Sequence, residues 1–449
     1  MNDLYEQKAK KYKYKYLKLK KNYIGGNKFK FIGKGSFGCI ISPPIKFDGI
    51  SDDICDENHV AKLLSYYNYN LEIKEYEKIE KIDKEAKHRS SLKYNILMKK
   101  YDVQRNLKLK IDMNKINYLN KIKKVNEDVE FNSLTSVEKL YVCIKNRFLD
   151  DIIYNVDDNC EKDKDNCYGY IITTRVGKSF VEQKLGMFKK KQIITILTNL
   201  KESIGDLIQK LYDDGSFHGD IKFDNMTLDD KLNVYFIDFG FMTEYKNKEK
   251  IYNYSKNDQY PKILNIFKNI KTELTKTELI NFFKQEYYKI QIYKVKNIKL
   301  DFSRFFESID RTIPILEDNK KYDESYIYNN YIEPIAKNID IYALSLFIYL
   351  LFINIYDNYT SFNSNNIDNF NNLKKILTVL LINALYNNID GPEELIIYLD
   401  GIINNINNTY TNQEISTKIK ERRKLKEKKY FFYYENAYFV DSIECKYKL

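Results

Sequence analysis

Residues His218-Gly219-Asp220-Ile221-Lys222-Phe223-Asp224-Asn225 are followed, a short distance on, by Asp238-Phe239-Gly240. Side chains of these types suit phosphoryl transfer. That chemistry needs a carboxylate to accept or orient a hydroxyl proton and a cation to meet the migrating phosphate. It also needs an amide and a second carboxylate to hold a divalent metal. The spacing Asp-x-Lys-x-x-Asn, then Asp-Phe-Gly, supplies that set in order. A His-Gly-Asp triplet alone carries little weight. Asp220 or Asp238 taken singly also fits a turn or helix-cap carboxylate, but capping does not explain all the polar groups at this spacing.

Three elements upstream are placed to position such groups. Residues 31 to 40 read FIGKGSFGCI, so Gly33, Gly35 and Gly38 form G-x-G-x-x-G with Ile40 two places later. Phe29, Phe31, Cys39 and Ile41 alternate around it as paired strands do. Glycine lets a backbone approach triphosphate oxygens where a side chain would clash, although the pattern alone is weak and more often marks an ordinary hairpin turn. Val60-Ala61-Lys62 then sits on an apolar run. The stretch NLEIKEYEKIEKID (70 to 83) has Ile73, Tyr76, Ile79 and Ile82 at steps of three, which predicts a helix with one apolar face.

Together these blocks resemble the eukaryotic-type serine/threonine protein kinases. The HGDIK wording is similar to that of casein-kinase-type and vaccinia-related kinases, and several giant-virus kinases resemble the chain in motif and in a Lys/Tyr-rich start. The resemblance covers roughly residues 29 to 400. It implies an α+β, bilobal fold, with a small antiparallel β-sheet lobe carrying one main helix and a larger, mostly helical lobe. It implies ATP and Mg2+ as cofactors and protein Ser/Thr hydroxyls as acceptors.

In that resemblance Asp220 is the catalytic base, Lys222 meets the γ-phosphate, and Asn225 and Asp238 hold the metal. Gly33, Lys34, Gly35, Ser36, Phe37, Gly38 and Ile40 line the nucleotide, and Lys62 binds its α- and β-phosphates. A helix carboxylate steadies Lys62. Glu75 is the choice because it precedes Ile79 by four and Ile82 by seven, with Glu72 and Glu77 as competitors. The run from Tyr168 to Phe180 resembles the family's strand and hinge. This makes Thr173 the gatekeeper and puts the backbone of Thr174 to Val176 at the adenine edge. Lys222 points to Ser/Thr rather than Tyr acceptors, and Asp224 stands where an acidic residue favours basic peptides. His218 is expected to pack against Phe239 rather than act as a base.

Two departures stand out. Gly219 occupies the place of the family's arginine, the side chain that grips a phosphorylated activation loop. No Ala-Pro-Glu follows Asp-Phe-Gly, with Glu333-Pro334 as the nearest candidate. Two other readings remain: a kinase-fold phosphotransferase for small molecules, and a pseudokinase scaffold. Lys222 and the full glycine run oppose the first, and the intact set Lys62, Asp220, Asn225 and Asp238 opposes the second.

At 449 residues and 43% hydrophobic composition, the chain can bury a large core. It has no Trp but 41 Tyr, a bias that fits an AT-rich genome of the kind large DNA viruses carry. Net charge is +11. Residues 1 to 30 hold ten Lys against Asp3 and Glu6 (+8), and residues 418 to 429 hold eight Lys or Arg against Glu421 and Glu427 (+6). The remainder is therefore about −3, so the basic character belongs to the tails. Such tails suit nucleic acid or an anionic membrane, or are simply solvating.

Six cysteines show no metal-type clustering and are expected as reduced thiols in the cytoplasm of a host cell, or in a virion. The N-terminus has no signal-peptide core. The apolar run Ile341 to Ile353 falls short of the roughly 20 residues a membrane span needs and reads as a core helix. A monomer is expected.

The chain then divides into a basic tail (1–28), a small lobe (29–172) with a charged insertion near 101–166, a large lobe (173–405) and a second basic tail (406–449). Residues 241–339 form an extended activation segment in which 277–293 look helical. Ile193, Leu197, Leu200, Ile204, Leu207, Ile208 and Leu211 mark one long helix leading into the His218–Asn225 loop. Residues 373–404 add further helix.

Overall fold

The structure, a computed structural model, describes residues 29–34, 38–47, 50–100, 111–122, 129–148, 167–254, 273–279, 319–358 and 389–406, with isolated positions between these stretches. The basic tails, the acidic loop at 157–166 and most of 255–316 lie outside the described residues. The rest is a mixed α+β protein that divides into two compact units. One comprises Met1–Glu80 and Arg89–Val176, the other Lys81–His88 and Gly177–Leu449.

The first unit is built on a five-stranded antiparallel sheet of order β1-β2-β3-β5-β4: β1 (Lys30–Lys34), β2 (Gly38–Ser42), β3 (His59–Ser65), β4 (Leu92–Lys99) and β5 (Cys167–Thr174). Helix α1 (Tyr66–Ile82) joins β3 to β4. Because side chains alternate along a strand, register sorts the sheet into two faces. Cys39 lies opposite Leu63, Ile41 opposite Ala61, and Ala61 and Leu63 opposite Ile172 and Tyr170. All of these join one apolar cluster. Their neighbours Ile40, Lys62, Ile171 and Thr173 occupy the other face.

The apolar face is covered by the insertion, which sequence reading treats as a charged interruption. It contributes α2 (Met113–Leu119), α3 (Val129–Asn132) and α4 (Ser136–Phe148). Leu119, Ile122, Phe131, Leu140, Val142, Cys143 and Ile144 are buried in the same cluster as the strands. The Phe31 and Phe131 rings meet edge to face at 5.9 Å. The insertion is therefore a second layer of this unit, and one of its charges, Glu138, is itself buried and paired with Lys115 at 3.1 Å.

That layering also corrects the expectation of reduced cysteines. Cys39 of β2 and Cys143 of α4 project into the same buried layer and are joined by a disulfide. Cys167 is likewise disulfide-bonded, and Cys55 is a buried free thiol. Sequence spacing is blind to such pairings because the partners come together only through packing.

In the second unit, α5 (Lys190–Ser203) runs through one π-helical turn (Ile204–Ile208) into α6 (Gln209–Asp214). All seven apolar positions of the predicted stripe, Ile193 to Leu211, are buried. Gly215, in the left-handed region at φ 79°, ends α6, as glycine commonly does at a helix C-terminus. Small sheets follow: β6 (Lys178–Ser179) with β8 (Met226–Leu228) and β9 (Val234–Phe236), and β7 (Ser216–Phe217) with β10 (Thr243–Glu244).

Then come α7 (Lys248–Tyr254), α8 (Glu324–Ile327), a π-helical turn (Tyr328–Ile332) and α9 (Glu333–Lys337). The core of the unit is α10 (Ile339–Asn358), packed beside α11 (Gly391–Ile406). Among the described residues no helix is long and apolar enough to cross a membrane. The segment Lys81–His88 is fastened to this unit. Asp83 accepts from Lys210 at 2.9 Å, His88 Nδ1 meets Ser203 Oγ at 2.9 Å, and the Phe236 amide donates to the His88 carbonyl.

Candidate active site

Asp220 is the centre of the second unit's polar cluster. β7 delivers the chain to His218, and the loop turns at Gly219, whose φ of 78° lies in the left-handed region. Position 219 thus has a backbone reason to be glycine. Both amides of the turn are held by one carboxylate from α10. Asp340 Oδ2 accepts from the His218 amide at 2.6 Å, and Oδ1 accepts from the Gly219 amide at 3.0 Å. Burial raises the Asp340 carboxyl to about 6. A charged residue opening a nearly all-apolar helix was the available sign of this role.

The loop then folds its polar groups inward. Lys222 Nζ donates to both oxygens of Asp220, at 2.9 and 2.8 Å. Asn225 Nδ2 donates to the Asp220 carboxylate at 2.6 Å and to its backbone carbonyl at 2.9 Å. Burial pushes the Asp220 carboxyl up. The neighbouring Asp238 charge adds to that, while Lys222 and Asn225 oppose it.

Asp238 follows β9 at φ 61°, a left-handed conformation uncommon for a residue with a side chain. It is tied to the loop because the Ile237 amide donates to the Asn225 carbonyl at 3.0 Å. His218 completes the base of the cluster. Its ring lies 4.6 Å from that of Phe239, its Nε2 donates to the Ile237 carbonyl, and its Nδ1 accepts from the Asp220 amide. Burial lowers its pKa to about 4, so it is a neutral packing group, as expected.

The first unit gathers a second set. Register places Lys62 beside Ile40 on β2 and Ile171 on β5, with Thr173 next along the same face. Gly38 is needed there for a close approach: a Cβ would fall 2.5 Å from the Leu63 carbonyl oxygen. Gly33 faces open space. Gly35, Ser36 and Phe37 lie outside the described residues, as does the Lys34 side chain.

Lys62 is paired with Glu72 at 2.7 Å, the competitor of the expected Glu75. The helix explains the difference. The residues of α1 that are buried are Tyr69, Glu72, Tyr76 and Ile79, spaced three, four and three apart. That alternation stays on one face of a 3.6-residue helix, whereas uniform steps of three drift around it. Thr173 is buried in β5. At the strand's end, the Thr174 amide donates to the Ser91 carbonyl, Thr174 Oγ1 accepts from the Ser91 amide, and the Arg175 amide donates to Asn58. The donors at 174 and 175 are thus engaged within the unit, and Val176 is its last residue.

Among the described residues no group of three or more His, Cys, Asp or Glu side chains is arranged to hold a metal ion. The candidate pair is an amide and a carboxylate, the hard oxygen donors that suit Mg2+ when substrate phosphates and water complete its shell. No protein-family model matches the chain, and no curated protein matches it.

Proposed function

We propose that the chain is a bilobal, Mg2+-ATP-dependent serine/threonine protein kinase, its two units serving as the lobes. The observation that carries this reading is the Asp220 cluster: a buried carboxylate bridged by Lys222 and Asn225, on a turn clamped by Asp340 and beside Asp238. Phosphoryl transfer is mostly positioning and charge neutralisation, and this cluster is a rigid polar site of that kind.

In the reaction the γ-phosphorus–oxygen bond of ATP breaks, a new bond forms to the Ser or Thr oxygen, and the hydroxyl proton passes to Asp220. Burial makes Asp220 a better proton acceptor than an ordinary aspartate. Lys222, 31% exposed in its side chain, is free to turn toward the transferring phosphate. Both donor hydrogens of Asn225 are spent on Asp220, which leaves its amide oxygen, with the Asp238 carboxylate, to hold Mg2+. Bound Mg2+ would neutralise phosphate charge. Lys62, steadied by Glu72, would meet the α- and β-phosphates.

The test is transfer of labelled γ-phosphate to a Ser/Thr-rich protein, beside a panel of small hydroxyl compounds. Asp220→Ala should lose about 10^3-fold in rate while keeping the wild-type unfolding temperature. Undiminished transfer by that variant overturns the assignment, and transfer only to small hydroxyls moves the reading to a small-molecule phosphotransferase.

A further inference from the structure

The strand entering the Asp220 loop and the strand leaving the Asp238 turn are partners. Phe217 lies opposite Thr243, and Ser216 opposite Glu244. This pairing is a second backbone link between the two loops, beside the Ile237–Asn225 hydrogen bond. A pair of two-residue strands is marginal without support.

The support comes from the segment before α10. The Tyr245 amide donates to the Gly215 carbonyl at 3.0 Å, and the Tyr245 carbonyl accepts from the phenol of Tyr328. Tyr328 is 1% exposed and opens the π-helical turn between α8 and α9. Burial raises its phenol, so it remains a donor at neutral pH. Lys337 Nζ lies 4.9 Å from the Tyr245 ring centre, and Lys248 Nζ lies 4.7 Å from that of Tyr328. The Tyr252 ring meets Tyr328 edge to face at 6.4 Å. Gly215 fits against this group, since a Cβ there would come within 3.0 Å of the Tyr245 ring.

We propose that Tyr328 is a positioning residue for the phosphoryl transfer assigned above. By clamping Tyr245 together with Lys337, it holds β10 on β7 and so sets Asp220 and Asp238 relative to each other. The inference rests on the kinase reading, but the clamp itself is testable apart from it. Its members are a phenol, an aromatic ring and two ammonium groups.

Tyr328→Phe in the full chain removes only the hydroxyl. Expected are about tenfold faster amide hydrogen exchange at 243–246 and a kcat lower by about five- to tenfold, the size of one lost hydrogen bond. KM for ATP should stay within about twofold, since the change lies in alignment rather than in nucleotide contacts. Lys337→Met should act in the same direction more weakly, which keeps the test open if Tyr328→Phe folds poorly.

The proposal is overturned if Tyr328→Phe leaves exchange and kcat unchanged while only lowering the unfolding temperature. If wild type transfers no phosphate at all, the kinase reading fails, and the exchange comparison still decides the clamp.

Discussion

Lys62 Nζ lies 2.7 Å from Glu72 Oε2, with each side chain 12% exposed. At that burial, removing one partner strands the other charge in a poorly solvated place, which is costly even where forming the pair gains little. Glu72→Gln should therefore raise KM for ATP and lower kcat/KM by about 10- to 100-fold, since Lys62 loses its fixed position. Glu75→Gln should have the smaller effect, since Glu72 is the carboxylate paired with Lys62 at 2.7 Å. Steady-state kinetics on the two variants separates them, and the reverse order would restore Glu75 to the role.

Asp340 makes stability depend on acid in a definite direction. Its carboxyl is raised to about 6 in the folded protein from an ordinary 3.8. The folded state therefore holds a proton between these values that the unfolded chain has released. The stability this group contributes is full below about pH 4 and lost as pH rises through 6, roughly 3 kcal/mol in all. Urea unfolding of wild type and Asp340→Asn from pH 4 to 7 should show the wild type losing that much relative to the variant. Turnover should move the opposite way. Below pH 6 the protonated carboxyl supports the His218 and Gly219 amides less well, so kcat should fall.

Placing an arginine at 219 should not raise activity. The left-handed φ of 78° disfavours any side chain there by about 1 kcal/mol. Gly219→Arg and Gly219→Ala should both lower the unfolding temperature by a few degrees and slow transfer to a similar extent. A clear gain in activity from Gly219→Arg would show that the turn adapts and that the missing guanidinium was the limiting feature.

The Cys39–Cys143 bond spans 104 residues of chain. Closing a loop of that length restricts the unfolded state, worth about 2–5 kcal/mol for bridges of this kind. Reducing agent should lower the unfolding temperature of wild type by more than that of Cys143→Ser, which keeps only the bridge at Cys167. Thiol titration of the denatured, unreduced protein should find Cys39 and Cys143 blocked; finding both free would remove the bridge from the solution structure.

Local periodicity and local spacing carried well from sequence to structure. The stripe from Ile193 to Leu211 is buried throughout, Ile341 to Ile353 lies within α10, and the polar groups of the Asp220 loop meet one another because they lie within six residues. What failed to carry depends on distance in the chain or on drift along a helix. Glu72 was hidden by a step of three that does not follow a helix face. The reach of Asp340 to residue 218 and the meeting of Tyr328 with Tyr245 have no local signature. The insertion looked like surface because its charges are interspersed with its apolar positions, yet those positions suffice to cover a sheet face.

Where α1 crosses β5, the ring of Tyr69 occupies the space that a side chain at position 169 would fill. A Cβ on Gly169 would sit 2.2 Å from three of its atoms, and the phenol reaches on to Asn95 at 2.6 Å. The helix is thereby pegged into the strand one turn ahead of Glu72. Swinging it outward would leave a hole the size of a phenyl group and an unanswered amide, so the lysine's counter-ion is parked by carpentry rather than by attraction. Any signal that sought to silence this protein by rotating that helix would first have to pull the peg.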